Sequence, residues 1–419
     1  MPNISDTFRR LYQLIPGSIR QRLDSYRLRR RVGTVAKKLT LESGSRVIIT
    51  GSNSGLNVIG FLSAGLGLGE AARSTIRAAN AVRLPVHTHE IFLRTHSVDN
   101  SVSFSDFEDH TFDVSVFHLN PDRLISLLDP EIMSCYLSSA YNIGFWFWET
   151  NNLPDYWVTA SELFDEIWVG SSFCKSVMES KISKPVTRIP LNVAPVDPEP
   201  NVGRKELGLP EQGFLFITMI DFFSRPERKN PFGVIEAFQR AFGPDDKKVF
   251  LVVKTMGQGR NGLSKRLIDA CRKDPRIIVV DKFLDRPQLY SLIKSSDCLV
   301  SLHRAEGFGL PIAEAMALGK PVVATGWSAN MDFMNANNSF PVAYDMVMLD
   351  HYATPYPKGT VWANPKVEDT AAIMRKLAYN PELCRQVGDK GRCDIQDNFS
   401  PDTTGVKIVE RLQQIREKL

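Results

Sequence analysis

Between residues 214 and 325, short and strongly apolar runs alternate with helix-patterned segments, and no hairpin signal interrupts them. "FLFITMID" leads into "NPFGVIEAFQRAF", "KVFLVVKT" into "GLSKRLIDACRK", "RIIVVDKF" into "RPQLYSLIKSS", and "CLVSLH" into "GLPIAEAMALG" before "KPVVAT". Strands that are apolar on both faces need helices above and below them, and such crossovers make the sheet parallel. This half therefore predicts a doubly wound α/β sheet.

The first half carries the same pattern less cleanly. "NVIGFLSA" runs into "GLGLGEAARSTIRAANAV", which reads as strand, glycine turn and helix, and "LPVHTHEIF", "DVSVFHL", "NIGFWFW" and "DEIWVGSS" add further apolar runs. Between the halves, "NVAPVDPEPNVGRKELGLPEQG" is rich in proline, glycine and charge and has no apolar period, so it reads as a linker. A chain of 419 residues is long enough for two cores. The expected organisation is a basic extension over 1–50, a Rossmann-like domain over 51–197, a second over 198–395, and a C-terminal helix over 396–419 that packs back on the first domain. Ligands in such sheets sit at the carboxyl ends of the strands, here in a central cleft between the domains.

Charge is unevenly spread. Residues 1–40 hold ten Lys or Arg against Asp6 and Asp24, while the whole chain is only +4. Phe8, Leu11, Tyr12, Leu14 and Ile15 lie near helical spacing within that stretch, so it reads either as a peripheral contact for an anionic membrane surface or as a solvated arm. Nucleic acid is not expected as a partner, because the rest of the chain offers no basic face interleaved with aromatics. No apolar run approaches the length of a membrane span, and the N-terminus lacks the apolar core of a secretory signal. The six cysteines are scattered without a CxxC pair, which fits a reducing, cytoplasmic setting.

Three loops carry candidate chemistry. Gly65, Gly67 and Gly69 follow a strand and open a helix, where free amides suit a phosphate. "GLGEAA" also fits a variant of the dinucleotide fingerprint, with Glu90 where a ribose-binding acid would lie. A tight turn for close helix packing explains those glycines as well. In "DFFSRPERKN", Arg225, Arg228 and Lys229 precede a helix starting near Pro231, where cations oppose the macrodipole unless an anion faces them. A diphosphate would supply that anion. Finally, "EGFGLPIAEAMALGK" (306–320) puts Glu306 before a glycine bend and Glu314 in the first turn of the helix after it, with the amides of Gly307, Phe308, Gly309 and Leu310 between. Amides can cradle phosphate or sugar oxygens, and carboxylates accept strong hydrogen bonds from sugar hydroxyls.

These residues resemble a known family. "EGFGLPIAEAMALGKPVVAT" is similar to the Glu-x7-Glu signature of retaining glycosyltransferases of the GT-B fold, specifically glycosyltransferase family 4. "GFWFWETNNLPDYW" and "DEIWVGSSF" resemble a bacterial branch that acts in surface-polysaccharide assembly, such as that of lipopolysaccharide. The resemblance covers approximately residues 57–400 and implies that the first domain binds acceptor and the second a nucleotide sugar. It implies that Glu314 binds ribose hydroxyls, that Glu306 binds the transferred sugar, and that Gly307 to Leu310 meet sugar and diphosphate. Lys229 matches the family's phosphate-binding lysine. Backbone at Phe283 and Leu284 would meet the base, Gly67 and Gly69 would lie beneath the donor, and His118 would lie near the transferred sugar. The family's usual arginine position is Ser224 here, so either Arg225 or Arg228 takes its place.

The implied reaction moves a hexosyl unit from a nucleoside-diphosphate sugar, a substrate rather than a cofactor, to a glycan or lipid-linked acceptor. No Asp-x-Asp is present, and His87 and His89 lack a third ligand, so no metal is expected. Trp146, Trp148 and Glu149 could line an acceptor site, although aromatics in such a run are more often core. Two alternatives remain at this point: an NAD-dependent oxidoreductase built on the first glycine loop, and a non-catalytic sugar-nucleotide binder.

Overall fold

The computed structural model describes residues 55–91, 112–127, 136–137, 139–195, 197–222, 224–257, 262–351, 353 and 355–418, with scattered helical positions between 19 and 37. Most of the basic extension, including every aromatic and aliphatic position named above for it, lies outside the described residues. Positions 30–35 are helical, and Val32 and Val35 are buried in a cluster with Phe61, Leu137 and Trp157. That part of the extension is docked on the first domain.

Two six-stranded sheets form, each parallel throughout. The first contains β1 (Leu56–Gly60), β2 (Val86–Glu90), β3 (Val114–His118), β4 (Tyr141–Trp146), β5 (Glu166–Val169) and β6 (Val186–Arg188), in the order β2-β1-β3-β4-β5-β6. The second contains β7 (Phe214–Asp221), β8 (Val249–Met256), β9 (Ile277–Asp281), β10 (Cys298–Ser301), β11 (Val322–Thr325) and β12 (Phe340–Val342), in the order β12-β11-β10-β7-β8-β9. Every residue of β1, β3 and β5 is buried, as strands covered on both faces must be. In each sheet the strand order reverses once, between β1 and β3 and between β7 and β10. The loops leaving those strands open a crevice there.

The second domain also has an antiparallel pair, β13 (Tyr344–Met348) and β14 (Val361–Pro365), that the sequence pattern did not announce. Asp345 through Met348 are exposed on both faces of β13, so no inside-outside alternation marks it. The segment between these strands reaches the first domain: Tyr356 packs against Trp148, and the Val361 amide donates to Asn151 Oδ1 (3.0 Å).

The helix α1 (Gly67–Ala81) shows why its opening is rich in glycine. A Cβ on Gly69 would overlap the carbonyl oxygens of Phe61 and Ala64, whereas Gly67 is exposed with open space around it. Close packing thus accounts for Gly69 and leaves Gly67 free.

The last helix, α2 (Pro401–Arg416), returns to the first domain and lies along α1. Gly405 permits this, because a Cβ there would strike the Ala78 carbonyl and the Val82 side chain. Arg411 pairs in bidentate fashion with the buried Glu166 on β5, Nε to Oε1 at 2.9 Å and Nη2 to Oε2 at 2.8 Å. Tyr141, Trp168 and Thr187 donate to the same carboxylate. Breaking a buried pair by deleting one partner is strongly destabilising. Glu166→Ala is therefore expected to lower stability by about 3 kcal/mol in chemical denaturation, with earlier hydrogen exchange in 401–416 than elsewhere.

Candidate active site

The crevice of the second sheet is built by the loops after β7 and β10. After β7 the chain makes a single helical turn, Pro226–Lys229, and Asn230 takes the left-handed conformation (φ 50°) before the helix Pro231–Ala241 begins. The sequence reading placed Arg225, Arg228 and Lys229 at the start of the longer helix; the structure corrects this. Arg228 and Lys229 occupy the last turn of the short one, an end that favours cations. Arg225 caps the start of that turn and reaches Glu227 at 4.0 Å. Arg228, rather than Arg225, stands beside Lys229.

After β10, Glu306 is buried and faces both cations. Lys229 Nζ donates to Oε1 at 2.5 Å, and Arg228 Nη1 pairs with Oε2 at 3.1 Å. Burial alone would raise this carboxyl; Lys229 and Arg228 override it and hold it at about 2. The Glu306 amide donates to Ser328 Oγ (2.9 Å), and Ser328 itself has φ 77°, an uncommon value for serine that supporting contacts must maintain. His303, just upstream, is buried between Ser301, Trp327 and Asn330, and burial lowers its pKa.

The bend after Glu306 leads into the helix Leu310–Ala317, with Gly309 in the left-handed conformation (φ 93°) and Pro311 in the first turn. Gly319 (φ 71°) follows its end. The amides of Gly307, Phe308, Gly309 and Leu310 donate to no acceptor among the described residues. Phe308 packs below the bend on Phe333 and Phe399, and the Gly307 carbonyl accepts from Ser171 Oγ (2.9 Å) of the first domain. A small pocket beside the bend is lined by Met219, Lys229, Ser301, Glu306, Gly309 and Pro311.

Glu314 lies in the second turn of its helix, not the first, so a helix-dipole role does not explain it. It is buried, and its Oε1 receives both Arg286 Nη2 (3.0 Å) and Tyr290 Oη (3.2 Å). Oε2 has no donor among the described residues. Burial outweighs Arg286 and raises this carboxyl, with the charge of Glu70 acting in the same direction. Arg286 Nη1 meets Glu70 of α1 at 3.1 Å, so one guanidinium joins the second glutamate to the first domain. Arg73 pairs with the same Glu70 oxygen, Oε2, at 3.0 Å, and Arg77 with Oε1 at 2.6 Å.

Sequence reasoning missed Arg286, Tyr290 and Tyr356. Arg286 sits in the first turn of the helix Arg286–Ser295, capped by Asp285. A cation in the first turn of a helix opposes the macrodipole, and that is the sequence signal at Arg286.

The remaining expected residues are dispersed. Phe283 is exposed on the loop after β9, while Leu284 is buried in a cluster shared by both domains. His118 is wholly buried and stacked on Phe145 (4.7 Å), and burial pushes its pKa down to about 3, leaving the ring neutral. A solvated, hydrogen-bonded histidine is thus not what the structure shows: neither ring nitrogen has a partner among the described residues. Trp146 and Trp148 are buried, as core aromatics are. Glu90 accepts from the amide (2.8 Å) and hydroxyl (2.9 Å) of Ser63, so it braces the glycine turn rather than standing free for a ribose. Among the described residues, no group of three or more His, Cys, Asp or Glu is placed to hold a metal.

Residues 204–394 match the family model for glycosyl transferases group 1. No curated protein matches the chain by sequence. Among solved structures, the chain resembles a mutant of S. aureus TarM in complex with fondaparinux, alpha-GlcNAc-glycerol and UDP (14% identity, TM-score 0.54, 71% of this chain and 55% of that one). It also resembles a glycosyltransferase from Rickettsia africae (15%, TM-score 0.59, 88% and 100%) and Anabaena HepE in complex with UDP and glucose (15%, TM-score 0.60, 86% and 99%). The chain thus spans about half the length of the TarM chain and the full length of the other two. The fold is GT-B. Together with the family match in the second domain, it supports a GT-B glycosyltransferase.

The two glutamates are expected to respond oppositely to substitution. A depressed folded pKa contributes stability that is present above the unfolded value of 4.5 and lost as pH falls toward about 2, which is the Glu306 case. A raised one disfavours the charged form, so its contribution is present below 4.5 and lost as pH rises, which is the Glu314 case. Glu306→Gln is expected to cost about 3 kcal/mol near neutral pH and to flatten the acid limb of Tm. Glu314→Gln is expected to leave Tm unchanged or raise it. Scanning calorimetry of both variants across pH checks the pair.

Proposed function

We propose that this chain transfers a hexosyl unit from a nucleoside-diphosphate sugar to a glycan or lipid-linked glycan, with retained anomeric configuration, as glycosyltransferase family 4 enzymes do. The observation that carries the reading is the joint presence of Glu306, Lys229 and Arg228 beside a row of amides without acceptors. Two cations and the amides suit a diphosphate, and the adjoining carboxylates suit hydroxyls. Glu314 keeps Oε2 for a ribose, Gly67 offers an open backbone, and the exposed loop at Phe283 would meet the base. TarM and HepE carry UDP in their structures, which makes a uridine donor the first to test.

The reaction breaks the bond between the anomeric carbon and the diphosphate oxygen. The acceptor oxygen forms its bond on the same face, and its proton passes to the departing phosphate. Lys229 and Arg228 neutralise the charge that develops on the leaving group, a role that needs no metal. Glu306 holds the sugar while this occurs, and the neutral ring of His118 suits a nearby sugar hydroxyl. The first domain would take the acceptor, with the basic extension as a peripheral contact on the cytoplasmic membrane face during surface-polysaccharide assembly. No helix among the described residues is long and apolar enough to cross a membrane.

A non-catalytic binder gains weight only from Ser224, and the place of Arg228 beside Lys229 offsets that departure. The NAD-dependent reading loses its ribose acid, because Glu90 is held by Ser63.

A thermal-shift screen of nucleoside-diphosphate sugars is expected to show stabilisation by one donor, naming base and sugar together. With that donor, Glu306→Ala and Lys229→Ala are each expected to lower transfer by about 100-fold or more. Retention of full transfer by Glu306→Ala would overturn the assignment.

A further inference from the structure

We propose that Glu149, carried by the first domain, is a positioning residue for Arg228 in the second. It would set the cationic side of the site when the domains meet. The proposal rests on the sugar-transfer reading given above.

Arg228 is almost fully buried, and most of its contacts lie within its own domain. Nη1 donates to the Ala305 carbonyl (2.7 Å) and pairs with Glu306 (3.1 Å). Nη2 faces Glu149 Oε1 at 3.6 Å, across the domain boundary, and Nε has no partner among the described residues. Glu149 immediately follows the buried Trp148 beyond β4, and its side chain is about a quarter exposed. Its other oxygen, Oε2, accepts from Tyr356 Oη at 3.0 Å. Tyr356 is wedged between Trp148 and Trp362, so the carboxylate is held by rigid neighbours.

A buried guanidinium beside a single carboxylate would settle onto it. Here two carboxylates draw Arg228 through different nitrogens, Glu306 at Nη1 from its own domain and Glu149 at Nη2 from the other. The charge that a diphosphate would meet is therefore divided between a sugar-side and an acceptor-side carboxylate, and the division exists only with the domains together. Removing the charge of Glu149 leaves Arg228 to Glu306 alone. The guanidinium then compensates a leaving group less well, while the groups proposed to bind ribose and sugar stay in place.

The test compares Glu149→Gln, which still accepts from the Tyr356 hydroxyl, with Tyr356→Phe, which removes that hydroxyl and keeps the carboxylate. With the donor found by the thermal-shift screen, Glu149→Gln is expected to lower kcat about tenfold while donor KM stays within about threefold. Its Tm is expected to match the wild type, and Tyr356→Phe is expected to keep kcat within about threefold. Unchanged kcat in Glu149→Gln would overturn the proposal. So would a loss that follows Tm and is matched by Tyr356→Phe, since that pattern is packing alone. Small-angle scattering gives a readout independent of turnover, with Glu149→Gln expected to be more open than the wild type. If the wild type transfers from no donor, the sugar-transfer reading falls by itself. Scattering then decides this inference, and superimposable profiles would overturn it.

Discussion

Buried carboxylates need cations, and in this molecule two arginines each serve a pair of carboxylates drawn from different domains. Arg228 lies between Glu306 and Glu149, and Arg286 lies between Glu314 and Glu70. The two glutamates of the glycine bend are thus each tied across the cleft by a guanidinium. Uncompensated, four acids at low accessibility would repel one another and resist burial. With the arginines in place the domains can close around polar chemistry. Lys229 completes one cluster, and Arg73 and Arg77 complete the other.

The two clusters nonetheless leave their carboxylates in different electrostatic states. Glu306 is ionised far more readily than a free glutamate, whereas Glu314 resists ionisation. Two cations at short range explain the first case. In the second, a single arginine is shared with Glu70, whose charge works against Glu314. Only seven residues of sequence separate the two acids, yet the elements packed around them decide how each behaves.

Much of the fold was legible because doubly covered strands must be apolar throughout. "FLFITMID" and "KVFLVVKT" became the central strands β7 and β8 with little shift in their bounds. The pair β13 and β14 escaped because its first strand is exposed on both faces and has no period to read. At the site, the spacing of Glu306 and Glu314 and the cluster of Arg228 and Lys229 were visible as local patterns. Glu149 was visible only as a possible lining of an acceptor site, and Arg286 and Tyr356 not at all, because the contacts that matter join residues far apart in the chain: Glu149 with Arg228, Arg286 with Glu70, and Tyr356 with Glu149. The same limit affected the glycine turn, where only the nearness of the Phe61 and Ala64 carbonyls separates the packing glycine from the open one.

The chain passes between the domains twice, once through the linker after β6 and again where the helix Pro381–Asn398 gives way to α2. The passages lie side by side, with the Val193 amide donating to the Phe399 carbonyl at 2.8 Å. A single connecting strand would leave one domain free to swivel in any direction. Two crossing segments bonded to each other would favour opening and shutting about that point over free swivelling. Each shutting then returns Glu149 and Glu70 to the same arginines, much as a hinged jaw returns its teeth to the same bite.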